Sequence, residues 1–163
     1  MFIDLDDFKT INDTLGHHVG DKYLKHVARC LTDSLRDIDT VCRLGGDEFL
    51  VLAENIENRE DVAGLANKIN TIIKQPAHIG DNQISTTSSI GVAVIPDDGC
   101  DFETLCRRAD IALYKAKDSG KNNFCFFDQQ MAERVNESLT LIADLHHALA
   151  REQLQLLFQP QFN

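Results

Sequence analysis

At 163 residues, 43% of them hydrophobic and 26% charged, the chain has the size and apolar content of one domain plus a tail. A formal charge of −10 excludes a sequence-neutral grip on nucleic-acid backbones, but not a nucleotide, because a metal reverses the field of an acidic cleft. The cysteines, Cys30, Cys42, Cys100, Cys106 and Cys125, are scattered and form no C-x-x-C pair. That excludes a zinc site or disulfide frame and predicts buried thiols in a reducing, cytoplasmic compartment.

Phe2 to Asp6 reads as a short buried strand running into acids. Phe8 to Leu15 reads as a short helix stopped at Gly16. A longer helix is predicted over Val19 to Leu35, where Leu24, Val27, Ala28, Leu31 and Leu35 recur at three- and four-residue steps. Asp39 to Leu44 and Phe49 to Ala53 are β-rich runs separated by Gly45-Gly46-Asp47-Glu48, which predicts a hairpin with the glycines at its tip. Arg59 to Lys74 is helical, with Val62, Leu65, Ala66, Ile69 and Ile73 on one face and Pro76 beyond its end. Ile84 to Ile90 and Val92 to Ile95 read as strand, with Gly91 as a bulge or close-approach point. A helix over Phe102 to Lys117, a strand over Phe124 to Phe127 and an amphipathic helix over Asn136 to Ala150 complete the pattern. Leu154 to Phe158 reads as one more strand.

Strands alternating with helices around a hairpin predict an α+β fold: a ferredoxin-like, palm-type central antiparallel sheet flanked by helices. No run is apolar enough to span a bilayer and no signal peptide opens the chain, so no membrane contact is expected within it. Both ends read as cut inside strands, as in a piece of a longer protein that carries its sensor or membrane segments elsewhere.

Two acidic groups stand out. Asp4 and Asp6 end the first strand, and Asp47 and Glu48 sit on the hairpin tip, which a sheet can place beside it. Gathered carboxylates repel unless protonated or neutralised by a cation. Mg²⁺ suits such a site, because it takes oxygen ligands from one or two carboxylates plus substrate phosphates. An isolated Asp in a Gly-rich turn is more often a solvated turn residue. The second acidic pair and the apolar flanks Leu44 and Phe49 tip the balance toward a site. Gly45 and Gly46 serve a turn, and they also let a ligand approach the backbone closely.

Arg43-Leu44-Gly45-Gly46-Asp47-Glu48-Phe49 resembles the defining motif of the GGDEF family. Phe2 to Asp13 is similar to that family's first strand and nucleotide helix, and Gly16-His17 with Gly20-Asp21 to its G-H-x-x-G-D step. Ser89 to Ala93 and Ala109 to Asn122 resemble its later strand and last helix. The blocks keep the family's order up to about Phe127, whereas its opening helix and D-x-L-T-x-L-x-N-R element do not appear.

The resemblance implies a diguanylate cyclase, in which two GTP condense to cyclic di-GMP with release of two pyrophosphates across a homodimer. It implies Mg²⁺ or Mn²⁺ held by Asp4, Asp47 and the carbonyl of Leu5, with Asp47 as base and Glu48 supporting the second metal or the hydroxyl. Asn12 and Asp21 match the guanine readers, the backbone at Phe8 and Lys9 the β-phosphate cradle, and Lys117 and Lys121 the γ-phosphate contacts. Lys121 replaces an Arg common in the family, which keeps the charge and loses the bidentate fork. Without the resemblance, Lys117 and Lys121 would read as ordinary cations near a helix C-terminus, Asp21 as a helix-start acid and Asn12 as a backbone-bonded amide.

Arg36-Asp37-Ile38-Asp39 fits the R-x-x-D pattern of product-inhibited members, which implies an inhibitory cyclic di-GMP site at Arg36 and Asp39; the plain alternative is a surface ion pair. Asp144 to Ala150 and Gln153 to Gln161 resemble the linker helix and first strand of an EAL phosphodiesterase domain. The expected organisation is a GGDEF domain over residues 1–127, a linker helix over 128–150 and the start of a truncated EAL domain over 151–163. Two other readings compete. One is a catalytically quiet GTP-binding domain that tunes an adjoining phosphodiesterase. The other is a different palm-type nucleotide cyclase or polymerase, against which the guanine readers argue. A purely structural module explains none of the ordered acids and glycines.

Overall fold

The computed structural model describes residues 1–150 together with 153, 157, 159 and 160. It divides into two units, Met1–Asp128 and the residues from Gln129 on. In the first unit, β1 (Phe2–Leu5), β3 (Glu48–Leu52) and β6 (Ser88–Val92) form the centre of a five-stranded sheet of order β2-β3-β1-β6-β7, with β2 (Thr40–Gly45) and β7 (Phe124–Phe126) at its edges. All neighbours are antiparallel except β6 and β7, which run parallel. The palm-type α+β arrangement expected from the sequence is the one observed.

The side-chain period of two divides the sheet into two faces. On one face, Phe49, Ile3 and Ile90 form a cross-strand row, each at most 1% exposed. Burying a side chain of that size stabilises the fold by about 1.5–3 kcal/mol. Helices α2 (His17–Ser34) and α3 (Arg59–Ile73) cover this row with Tyr23, Leu24, Val27 and Leu31 and with Val62, Ala66, Ile69 and Ile73. Asn58 caps α3, its side chain accepting the Asp61 N–H at 2.9 Å. The short α1 (Phe8–Leu15) follows β1 and packs beside α2, with Phe8 in the core.

Helix α4 (Phe102–Asp118) lies on the opposite face, over β6, β7 and β1. Its buried stripe is Ala109, Ala112, Leu113 and Ala116. The three alanines let the helix sit close, and Gly91 lets it sit closer still. A Cβ at Gly91 would overlap the Ala109 carbonyl and the Leu113 amide. Gly91 is thus a close-approach point and not a bulge: it pairs in register with Phe2 on one side and Cys125 on the other.

Five expectations differ from the structure. The run read as strand over Val92 to Ile95 stops at Val92, where β6 ends. Helix α2 starts at His17 and not at Val19. The single strand read from Ile84 to Ile90 is broken. Ile84 ends a small hairpin of β4 (Ala77–Ile79) and β5 (Asn82–Ile84), turned at Gly80-Asp81, and Ser85 to Thr87 leave the ladder, Ser85 to bond the Lys74 carbonyl and Thr86 and Thr87 to bond Asp6. Pro76 stops α3, and burial of Ala77 and Ile84 draws the following segment into a hairpin that alternation alone did not signal. The thiols are not buried: Cys42 and Cys100 are exposed, and Cys30, Cys106 and Cys125 are half-buried. Helix α5 (Gln129–Ala150) begins seven residues before the predicted Asn136. The strand expected over Leu154 to Phe158, and with it the start of an EAL domain, lies almost wholly outside the described residues. Among those residues no helix is long and apolar enough to cross a membrane.

Gly91→Ala is expected to lower stability on the order of 1–3 kcal/mol, the range for forcing volume into a packed interface. A shift of the urea midpoint at unchanged slope would register it, and an unshifted midpoint would mean that α4 can move off the strand.

Candidate functional site

The C-terminal end of β1 meets the tip of the β2–β3 hairpin. Asp4 pairs with Glu48 in the ladder, and the Leu5 N–H donates to the Asp47 carbonyl at 3.3 Å. Within a strand residue the N–H and C=O point to the same side. The Leu5 carbonyl therefore also faces the hairpin. Gly46 turns the tip with φ 51°, a left-handed conformation that favours glycine, and Arg43 Nε donates to its carbonyl at 2.9 Å. Nothing stands within 4 Å of where a Cβ at Gly45 or Gly46 would lie, so the approach to the tip is open.

Asp4 is buried while Asp47 is half-exposed and Glu48 exposed. Burial pushes the Asp4 carboxyl above its ordinary range, the ion pair with Lys117 pulls it back, and the charges of Asp47 and Glu48 raise it further. Lys117 Nζ lies 2.7 Å from Asp4 Oδ2. The close seating of α4 on Gly91 brings this lysine, near the end of that helix, across the sheet to β1. After α4 the chain turns through Lys121 and Asn122, both at positive φ (61° and 49°), and Lys121 Nζ meets Asp7 Oδ1 at 2.7 Å. Asp7 itself, at φ 56°, is the residue before α1.

The remaining predicted residues sit on α1 and α2. The Phe8 side chain belongs to the core, so what it offers a ligand is its backbone at the start of α1, beside exposed Lys9. Asn12 lies directly over Gly20, where a Cβ would overlap its side-chain oxygen. Gly20 thereby sets Asn12 beside the turn of α2 that carries exposed Asp21. Arg36 and Asp39 stand apart from all of these, in the turn between α2 and β2. The Asp39 carboxylate accepts the N–H groups of Arg36 (3.0 Å) and Glu54 (3.1 Å), which makes it part of the turn itself. The two residues border a cleft of ≈ 380 Å³, lined also by Leu35, Glu60, Asp61 and Lys68.

The donor set at the strand end consists of two carboxylates and a carbonyl, all oxygens, which fits Mg²⁺ or Mn²⁺ and not zinc. Among the described residues no three His, Cys, Asp or Glu side chains gather tightly enough to cage a metal. Asp4, Asp47 and the Leu5 carbonyl would thus hold an ion jointly with water or phosphate oxygens. Three residues escaped the sequence reading: Asp7 as the partner of Lys121, Gly20 as the platform for Asn12, and Asp6 as a bonded anchor. The only hint of the last was the run of hydroxyls from Ser85 to Ser89.

The pattern of the family described as "Diguanylate cyclase, GGDEF domain" matches residues 1–123. The "Bifunctional diguanylate cyclase/cyclic di-GMP phosphodiesterase MucR" of Pseudomonas aeruginosa is 45% identical over 163 residues, 99% of this chain and 23% of that protein. The "Cyclic di-GMP phosphodiesterase PdeR" of Escherichia coli is 38% identical over 161 residues, 99% of this chain and 24% of that protein. The chain thus spans about a quarter of the length of these relatives. Among solved structures, an EAL/GGDEF domain protein from M. capsulatus superposes with a TM-score of 0.73 at 46% identity, over 78% of this chain and 82% of that one.

Because the Asp4 carboxyl is raised on folding, the native state holds its proton more tightly than the unfolded chain does. The stability this contributes is full below the ordinary value of 3.8 and is lost as pH rises through the folded value. Asp4→Asn is therefore expected to melt above the parent protein at pH 7. The gap should close as pH falls toward 3.8. Melting curves across that range check it, and a variant that melts lower at pH 7 would contradict it.

Proposed function

This chain belongs to the GGDEF family of diguanylate cyclase domains, and on that premise we propose that it condenses two GTP into cyclic di-GMP with release of two pyrophosphates. The observation that carries the reading is the convergence of Asp4, the Leu5 carbonyl, Asp47 and Glu48 at one strand end, with Lys117 reaching the same place from α4.

Each subunit of a homodimer binds one GTP. Asn12 and Asp21 read the guanine, because a carboxylate accepts from N1–H and N2–H₂ and an amide meets the remaining edge. The backbone at Phe8 and Lys9, at the start of a helix, takes the β-phosphate. Lys117 and Lys121 leave their internal partners Asp4 and Asp7 for the γ-phosphate. The 3′-hydroxyl of each nucleotide then attacks the α-phosphorus of the other. A new P–O bond forms as the bond to pyrophosphate breaks, and Asp47 accepts the hydroxyl proton while Glu48 supports the reacting hydroxyl. Bound Mg²⁺ or Mn²⁺ supplies positive charge to the phosphate oxygens.

The cleft beside the α2–β2 turn is the proposed inhibitory site. Arg36 is exposed there and offers a guanidinium to the O6/N7 edge of a product guanine, while Asp39 keeps lone pairs beyond its two turn bonds. The whole protein is proposed to continue into an EAL domain and to act in bacterial cyclic di-GMP signalling. The likeness to PdeR, named a phosphodiesterase, supports a second reading: a catalytically quiet GTP-binding domain that tunes a neighbouring phosphodiesterase.

Incubation with GTP and Mg²⁺, followed by chromatography, tests the first reading. Asp47→Ala is expected to reduce cyclic di-GMP formation by roughly 10²–10⁴-fold, the range for removing a general base. GTP binding without product in the parent protein would favour the regulatory reading. In the same assay Arg36→Ala should raise the product concentration for half-inhibition by about tenfold, as for the loss of one charged hydrogen bond. Unchanged inhibition in that variant would remove Arg36 from the product site.

A further inference from the structure

Asp6 is 3% exposed, yet it is a carboxylate two residues beyond the metal-facing Asp4. A buried carboxylate is tolerated only when donors satisfy it, and three converge here. Ser89 Oγ donates to Oδ1 at 2.7 Å, Thr87 Oγ1 to Oδ2 at 2.5 Å and the Asn122 N–H to Oδ2 at 3.1 Å. The Asp6 backbone is held as well: its N–H donates to the Thr87 carbonyl at 2.8 Å, and its carbonyl accepts from Thr86 Oγ1 at 2.5 Å.

Three parts of the nucleotide site leave from this one residue. Leu5, whose carbonyl faces the hairpin, precedes it. Asp7, the partner of Lys121, follows it and opens α1. The third part arrives through space: Asn122 belongs to the turn in which Lys121 and Asn122 both hold positive φ. Consecutive non-glycine residues rarely adopt that conformation, and it persists only where surrounding contacts over-determine it. The bond from the Asn122 amide to Asp6 is such a contact. Asn123 adds another, donating through Nδ2 to the Lys121 carbonyl at 3.0 Å.

We propose that Asp6 is a positioning residue for the triphosphate: its buried carboxylate holds the left-handed Lys121-Asn122 turn against the end of β1, and so presents Lys121 to the phosphates. It touches neither metal nor substrate. This inference rests on the nucleotide reading of the site given above. Asn in its place keeps the size and can still turn its carbonyl oxygen to Thr87 Oγ1 and the Asn122 N–H, but it has lost the negative charge that strengthens those bonds. The turn is then held less tightly, while Asn12 and Asp21, on α1 and α2, keep their guanine contacts.

Calorimetry with a non-hydrolysable GTP analogue and with GMP, on the parent protein, Asp6→Asn, Lys121→Ala and the double variant, separates the outcomes. Asp6→Asn is expected to weaken the GTP analogue about tenfold and GMP less than twofold. The double variant should bind the analogue no more weakly than the weaker single variant, because both changes remove the same contact. Faster hydrogen exchange of the Asn122 amide should accompany the loss. Thr87→Val, which removes one donor and leaves the carboxylate in place, should give a smaller loss in the same direction, and serves if Asp6→Asn does not fold. Equal weakening of both ligands, unchanged binding of the analogue or additive losses in the double variant would each overturn the proposal while leaving the nucleotide site standing. Failure of the parent protein to bind either ligand would overturn the nucleotide reading, and this inference with it.

Discussion

Direct contact between the backbone of α4 and the backbone of β6 at Gly91 is the constraint on which the site depends. No side chain separates the two elements there, and the alanines of α4 keep the rest of the interface equally shallow. A helix that close to the sheet delivers its C-terminal turn over β1, the strand one position further in. Lys117 then reaches Asp4, and the turn beyond it reaches Asp6 and Asp7. A helix displaced by the thickness of one side chain would present the same residues to solvent.

The strand end combines two carboxylates, Asp4 within β1 and Asp6 just beyond it, that differ in their surroundings. Asp4 has little hydrogen-bonding support beyond one lysine, and both burial and nearby negative charge disfavour its ionised form. Asp6 receives three donors. One is ionised at a disadvantage, and the other is satisfied within the protein. A group of the first kind lowers the stability of the free protein, as groups at functional sites commonly do. The lysines engage the acids of the same region, Lys117 pairing with Asp4 and Lys121 with Asp7.

The second face of the sheet makes this possible. The Phe49–Ile3–Ile90 row and its cover of α2 and α3 supply the hydrophobic core on the face away from Asp4. Because adjacent residues of a strand point to opposite faces, Ile3 and Leu5 serve that core while Asp4 serves the site. A register slip of one residue would exchange the two sets, so the hydrophobic row also fixes which acids face away from the core.

Much of this was legible in the chain itself. Apolar periodicity located α2 and α3, β-rich runs located β1, β2 and β3, the glycine pair located the hairpin tip, and the ordered blocks around Gly45-Gly46-Asp47-Glu48-Phe49 pointed to the family. Those features are local, and local spacing encodes them. What depended on distant pairs did not show. The hairpin of β4 and β5 forms because Ala77 and Ile84 find burial against the helices. Gly91 reads in one dimension as a bulge or a close-approach point, and only the packed chain shows that it is the second and that its partner is a helix nearly twenty residues on. The hydroxyls of Ser85 to Ser89 read only as strand, although three of them, on Thr86, Thr87 and Ser89, close on the residue at position 6. A sequence states which residues carry charge and which are small; only the packed chain decides which carboxylate is satisfied and which is left facing the site, because that is set by donors brought from more than eighty residues away.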